Sequence, residues 1–150
     1  MKTASDKSRI LFTSSVLICT ILLAAFVVTG GTIKNGSHST VGYVDSDGTV
    51  KNSSHSTIGY FDGGTVKNAS HSTIGYIDPD GTIKNSSHST IGYFDDGTVK
   101  NSSHSTIGYV EDGTVKNSSH STIGYYEEVE PVHAAAFFFF FFKDTAGGGE

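Results

Sequence analysis

The sequence predicts an all-β fold of tandem short hairpins, and three observations predict it. A unit of 16–17 residues recurs six times in a chain of 150. Each unit sets Val, Ile, Thr, Tyr and Phe, the residues that suit strands, between clusters of Gly, Asn, Asp and Ser. The residues that a coiled coil or long helical bundle needs are too scarce.

In chain order, the first element is an export segment, residues 1–30. Lys2, Lys7 and Arg9 form a basic start, and Val16–Val28 is a dense apolar stretch of 13 residues. That length fits a signal-peptide core better than a bilayer span of about 20 residues. Counted from Ile10 the apolar stretch reaches 19 residues, so retention as a membrane anchor is the alternative. Cys19 follows Ile18 and has apolar sequence beyond it, which does not fit a lipidated cysteine. Without residues 1–30 the chain keeps seven basic against fourteen acidic residues and no Cys.

The repeat unit is Gly-Thr-(Val/Ile)-Lys-Asn-x-Ser-His-Ser-Thr-(Val/Ile)-Gly-Tyr followed by an apolar residue and an acidic turn, starting at Gly31, Gly48, Gly64, Gly81, Gly97 and Gly113. The Asn-x-Ser-His segment never changes length, which predicts a turn that sets the register between two strands. The acidic turns vary by one residue: Asp45–Gly48 and Asp78–Gly81 are long, and Asp62–Gly64, Asp95–Gly97 and Glu111–Gly113 are short. Each unit then holds two strands, for example Thr49–Asn52 and Ser56–Phe61. Alternation puts Ile58 and Tyr60 on one face of the second strand, with Gly59 and Phe61 on the other. Val50, Ile58, Tyr60 and their equivalents are the candidate core. One hairpin is marginal in water, so the units are expected to close into a rosette or flower, or to stack as a solenoid. Strands this short do not suit a transmembrane barrel, whose strands need about 9–11 residues.

After the repeats come an acidic stretch, Ala134–Ala136 and six consecutive Phe, Phe137–Phe142. Exposed, they are an aggregation hazard. The reading adopted is a C-terminal Phe-rich strand closing the repeat domain, 31–142; an oligomerisation surface and membrane insertion are the alternatives. Residues 143–150 read as a disordered tail.

With Asp-Gly-Thr-Val, a Ser-containing turn, Ile-Gly-Tyr and an Ala-then-poly-Phe tail, residues 31–142 resemble the bacterial four-fold beta flower proteins. The resemblance implies an exported bacterial protein, Ile58-Gly59-Tyr60 and its equivalents as framework, and a Phe run that belongs to the fold. One position departs from the family pattern: His stands six times where the turn usually ends in Gly.

Several features are weighed for chemistry. His38, His55, His71, His88, His104 and His120 suggest a ladder able to hold Zn²⁺ or Cu²⁺, but one His per unit offers poor convergence, so no metal site and no cofactor are assigned. Charging near pH 6.5 makes such a ladder acid-sensitive. Tyr43, Tyr60, Tyr76, Tyr93, Tyr109 and Tyr125 form an aromatic row, read as core or as a contact for sugars. The Asp-rich turns lack the calcium-loop pattern. Asn35, Asn52, Asn68, Asn85, Asn101 and Asn117 stand in Asn-x-Ser sequons, which turn preference also produces. The repeated Lys residues are solvated charges guarding edges. A net charge of -5 argues against nucleic acid as partner, and no catalytic motif is present.

The expectation is an exported, non-enzymatic β-repeat scaffold of the bacterial cell envelope, in the periplasm, at the cell surface or secreted. No partner is assigned, the candidates being an envelope glycan or another protein, and membrane contact is limited to residues 1–30 if uncleaved. The alternatives are a glycan-binding module using the Tyr row and a metal-binding protein using the His row.

Overall fold

The computed structural model describes residues 30–146. The first strands of the six units are β1 (Gly31–Asn35), β3 (Thr49–Asn52), β5 (Thr65–Asn68), β7 (Thr82–Asn85), β9 (Thr98–Asn101) and β11 (Thr114–Asn117). The second strands are β2 (Thr40–Val44), β4 (Thr57–Asp62), β6 (Thr73–Ile77), β8 (Thr90–Asp95), β10 (Thr106–Glu111) and β12 (Thr122–Glu127). Every strand pairs antiparallel with its chain neighbours, and β1 pairs with β12, so the sheet closes into a twelve-stranded barrel. Of the two arrangements expected, the closed rosette is the one formed, and no strand edge is left open.

The turns explain the constant and variable segments. At one rim Asn52, Ser53, Ser54 and His55 make a tight turn: His55 N donates to Asn52 O at 3.0 Å, and Asn52 N to Ser56 O at 2.9 Å. The Asn52 side chain locks it, its Oδ1 accepting from Ser54 N and Ser56 N, both at 3.0 Å. All six copies repeat this pattern, and the final His lies in the left-handed region, φ 60–62°. At the other rim the short acidic turns place two residues at positive φ, such as Asp96 (44°) and Gly97 (78°) between the paired Asp95 and Thr98. That is the two-residue hairpin turn whose twist matches its strands. The long turns insert one residue and keep only Gly48 (84°) or Gly81 (82°) at positive φ. An added residue converts one standard hairpin loop into another and leaves the next unit in register.

The inside of the barrel corrects the expected core. Val50 lies opposite Val44 on one side and Gly59 on the other. Ile33, Val50, Val66, Ile83, Val99 and Val115 are fully buried, and Val44, Phe61, Val110 and Tyr126 are buried beside them. The inward face of the second strand is therefore the Gly59–Phe61 face. Tyr60 stands on the outside, and Ile58, on the bulge between the Val50 and Lys51 pairings, is half-buried.

The Phe-rich segment is the second correction. It is not a strand: α1 (Pro131–Ala135) begins with Pro in its first turn and runs into a π-helical segment, Ala136–Phe141, inside the barrel. An eight-stranded barrel is about filled by its own side chains, and the lumen widens with strand number. Twelve strands lined by six glycines therefore leave a hole that the sheet cannot fill. The Phe rings fill it one per unit. A methyl group on Gly42 would sit 2.8 Å from Phe137 Cζ, and one on Gly59 would sit 2.6 Å from Phe142 Cζ. Phe138, Phe139, Phe140 and Phe141 stand in the same way against Gly124, Gly108, Gly92 and Gly75. Successive Phe thus serve successive units in reverse order, once round the barrel. An α-helix, at 3.6 residues per turn, brings residue i+4 back over residue i. The wider π turn, with its i→i+5 bonds, spreads the rings further and brings Phe142 beside Phe137, ring centroids 5.8 Å apart. Beyond it, Thr145 N and Ala146 N donate to Phe142 O in a closing turn, and Ala146 is buried. Residues 147–150 of the expected tail lie outside the described residues.

Truncation of the fully buried Phe137 to Ala is expected to cost about 3–5 kcal/mol, and Gly92→Ala, which drives a methyl into Phe140, at least about 1–3 kcal/mol. Urea denaturation of both variants checks this; a Gly92→Ala chain as stable as the parent contradicts the pairing of glycine with ring.

Candidate functional site

With the interior filled, the repeated side chains outside are the ones left to act. Tyr60 is opposite Thr49 on one neighbouring strand and Lys67 on the other, and each unit copies this row. The His of the following unit folds over the Tyr: His55 on Tyr43, His71 on Tyr60, His88 on Tyr76, His104 on Tyr93 and His120 on Tyr109, with centroids 4.2–4.3 Å apart and planes within 17°. His38 on Tyr125, at 4.1 Å, closes the ring of six stacks across the chain ends. Every Tyr of the predicted row is thus half-buried on the outer face with one ring face covered, while the six His are exposed.

The positive φ of these His has a physical cost. A non-glycine residue in the left-handed region loses about 1–2 kcal/mol, although His tolerates it better than bulky residues do. Offset aromatic stacking returns about 0.5–1.5 kcal/mol. The histidines stand one to a junction, each imidazole stacked on its own Tyr, and among the described residues no group of three or more His, Cys, Asp or Glu is placed to hold a metal ion.

Six ion pairs girdle the barrel, each joining a Lys to the acid that ends the preceding unit. They include Lys34–Glu127 at 2.9 Å, Lys67–Asp62 at 2.6 Å, Lys100–Asp95 at 3.3 Å and Lys116–Glu111 at 3.0 Å; Lys51–Asp45 and Lys84–Asp78 complete the set. The lysines expected to be simply solvated are therefore paired. Hydrogen bonds to Asp45 and Asp78 hold Lys51 and Lys84 above the usual lysine range. Asp47 and Asp80 accept from Thr49 N and Thr82 N, both at 2.9 Å, which keeps both carboxyls below their ordinary range. Asp62 is lowered chiefly by its hydrogen bond from Lys67. The carboxylates of the long turns thus serve as turn locks and ion-pair partners. The sequon asparagines likewise use their Oδ1 atoms within their own turns.

An open outer groove of about 300 Å³ is lined by Asp80, Thr82, Tyr93, Asp95, Lys100 and His104. At the acidic rim, two further grooves of about 520 and 370 Å³ flank His133. His133 stacks on Phe61 at 4.3 Å, with Nδ1 3.8 Å from Glu130. Burial lowers its pKa, and Glu130 opposes that only in part. His133 stands outside the repeat, and Pro131 two residues earlier, as a helix-start signal, marks it as part of a helix entering the barrel mouth. The segment expected to direct export, up to residue 29 and including Cys19, lies outside the described residues.

Comparison with known protein families matches residues 30–143 to a family described as "5-fold beta-flower protein". The resemblance to beta-flower proteins holds, but to the 5-fold and not the four-fold kind, and this chain carries six hairpins. No curated protein and no solved structure matches it.

Two pH effects follow. Asp47, Asp62 and Asp80 have folded pKa values below their unfolded value of about 3.9, so their contribution is full above about pH 4 and is lost as pH falls through the lowered values. His133 is also lowered, so the unfolded chain takes up its proton first and stability declines as pH drops below about 6.5. The melting midpoint is expected to fall between pH 7.5 and 5, with His133→Phe removing part of the fall; parallel profiles for parent and variant contradict the assignment.

Proposed function

Since the chain belongs to the 5-fold beta-flower family, we propose that it is an exported, non-enzymatic scaffold of the bacterial cell envelope that works through its outer surface. The observation that carries this reading is the filled lumen. Six Phe occupy the space where a barrel of this size holds a ligand, so the barrel supplies rigidity and its outside supplies contacts. Identical residues spread evenly round a ring suit display, whereas catalysis needs different residues converging on one point. The address rests on residues 1–30, whose basic start and 13-residue apolar core read as an export signal. Fractionation of cells expressing the full chain, with mass spectrometry of the product, tests the address. Export with loss of about the first 30 residues is expected; a full-length cytoplasmic product refutes it.

A second reading, glycan binding, is favoured by the position of the Tyr row. Tyr76 and Tyr93 are outside the core, and Tyr93 lines a groove with an exposed imidazole, an ammonium and two carboxylates. Tyr76→Ala with Tyr93→Ala is expected to leave the barrel folded and to weaken binding to neutral glycans, measured by circular dichroism and titration calorimetry. Loss of the fold would return Tyr to the core and overturn this reading.

A further inference from the structure

We propose that the six exposed histidines are the stacking faces of a ring of polysaccharide sites, one at each junction between units. The proposal rests on the glycan reading and names the residue that carries it. Three observations lead to it.

The first is the cost of the histidine. The last position of each Asn-x-Ser-His turn has φ 60–62°, where glycine is free of strain, and the chain places an imidazole there six times. The turn itself does not need that side chain: the lock comes from the Asn Oδ1 and the backbone bonds. A strained residue repeated at an exposed position points to what its side chain presents.

The second is which aromatic surface is outermost. His104 covers one face of Tyr93, with ring planes 14° apart, so a ligand on that side meets the imidazole. The Tyr backs it and holds its plane. Around this platform the groove offers the Tyr93 hydroxyl, the Lys100 ammonium and the carboxylates of Asp80 and Asp95. These donors and acceptors suit a ligand rich in hydroxyl groups. With two carboxylates against one ammonium the groove is not basic, which disfavours phosphate polymers and acidic sugars.

The third is repetition. The His–Tyr stack and the Lys–acid pair recur at all six junctions, including the one where β1 meets β12. A polymer of identical sugars can engage neighbouring sites in turn, and linked engagement strengthens binding beyond any single site. A partner without internal repeats offers no such match.

The test uses the full chain with a β-glucan, an α-glucan, an N-acetylglucosamine oligomer and a polyuronate as probes, read by affinity electrophoresis and calorimetry. The parent is expected to bind at least one neutral probe, and longer oligomers more tightly than the monosaccharide. Replacing all six histidines by Gly is expected to weaken that binding by about tenfold or more while the melting midpoint stays near that of the parent. His→Asn at the same positions, which also tolerates positive φ, repeats the measurement if six glycines loosen the turns. Equal binding by parent and variants overturns the role of histidine and leaves the glycan reading in place. A parent that binds none of the neutral probes, or prefers the polyuronate, overturns both.

Discussion

The contact between one phenylalanine ring and one glycine, made six times in a circle, is the interaction on which the rest of this structure depends. A sheet of twelve short strands cannot fill its own lumen. The inward Val and Ile of the first strands are paired with the glycines of the second, Val50 with Gly59 and Ile83 with Gly92, and the glycines recede to leave six recesses. The helix fills them, and because its rings come from consecutive residues, the backbone has to open into the wider π turn. Barrel width, inward glycines and helix geometry are therefore one solution to one packing problem.

Much of this was legible in the residues, and the rest failed for identifiable reasons. The six units, both strands of each and the two kinds of turn follow from local chemistry, because Asn, Asp and Gly determine their own backbone angles. Which face of the second strand turns inward did not follow. Ile58 and Tyr60 are larger than Gly59, so counting apolar area favoured their face, and only a plug delivered from residues 137–142 reverses that preference. The Phe run itself reads as a strand because Phe favours strands in general. The signals against a strand are Pro131 and three alanines, which favour a helix, and the equal numbers of rings and repeat glycines. The outer site was partly visible: the Tyr row was singled out, but its pairing with the His of the next unit depends on barrel closure, which no single repeat encodes.

The barrel also separates its chemistry by position. Carboxylates gather at the rim where the plug enters, hydroxyls and imidazoles belong to the turns of the opposite rim, and lysines on the outer face tie each unit to the one before it. The ion pairs are surface contacts and contribute little individually to stability. They stand between units, and the Lys100–Asp95 pair spans the two units that flank the groove in which Tyr93 and His104 lie.

Matching rings to recesses one for one constrains how such a gene can change. Tandem repeats readily gain or lose copies by unequal recombination, and in most repeat proteins a copy more or less merely lengthens or shortens the array. Here a change of 16 or 17 codons in the repeat tract alters the number of recesses, and it is tolerated only if the phenylalanine tract far downstream changes by one codon too. Copy number in a chain built this way is thus set at two places. An intermediate with unequal numbers carries either an empty recess or a ring with nowhere to go.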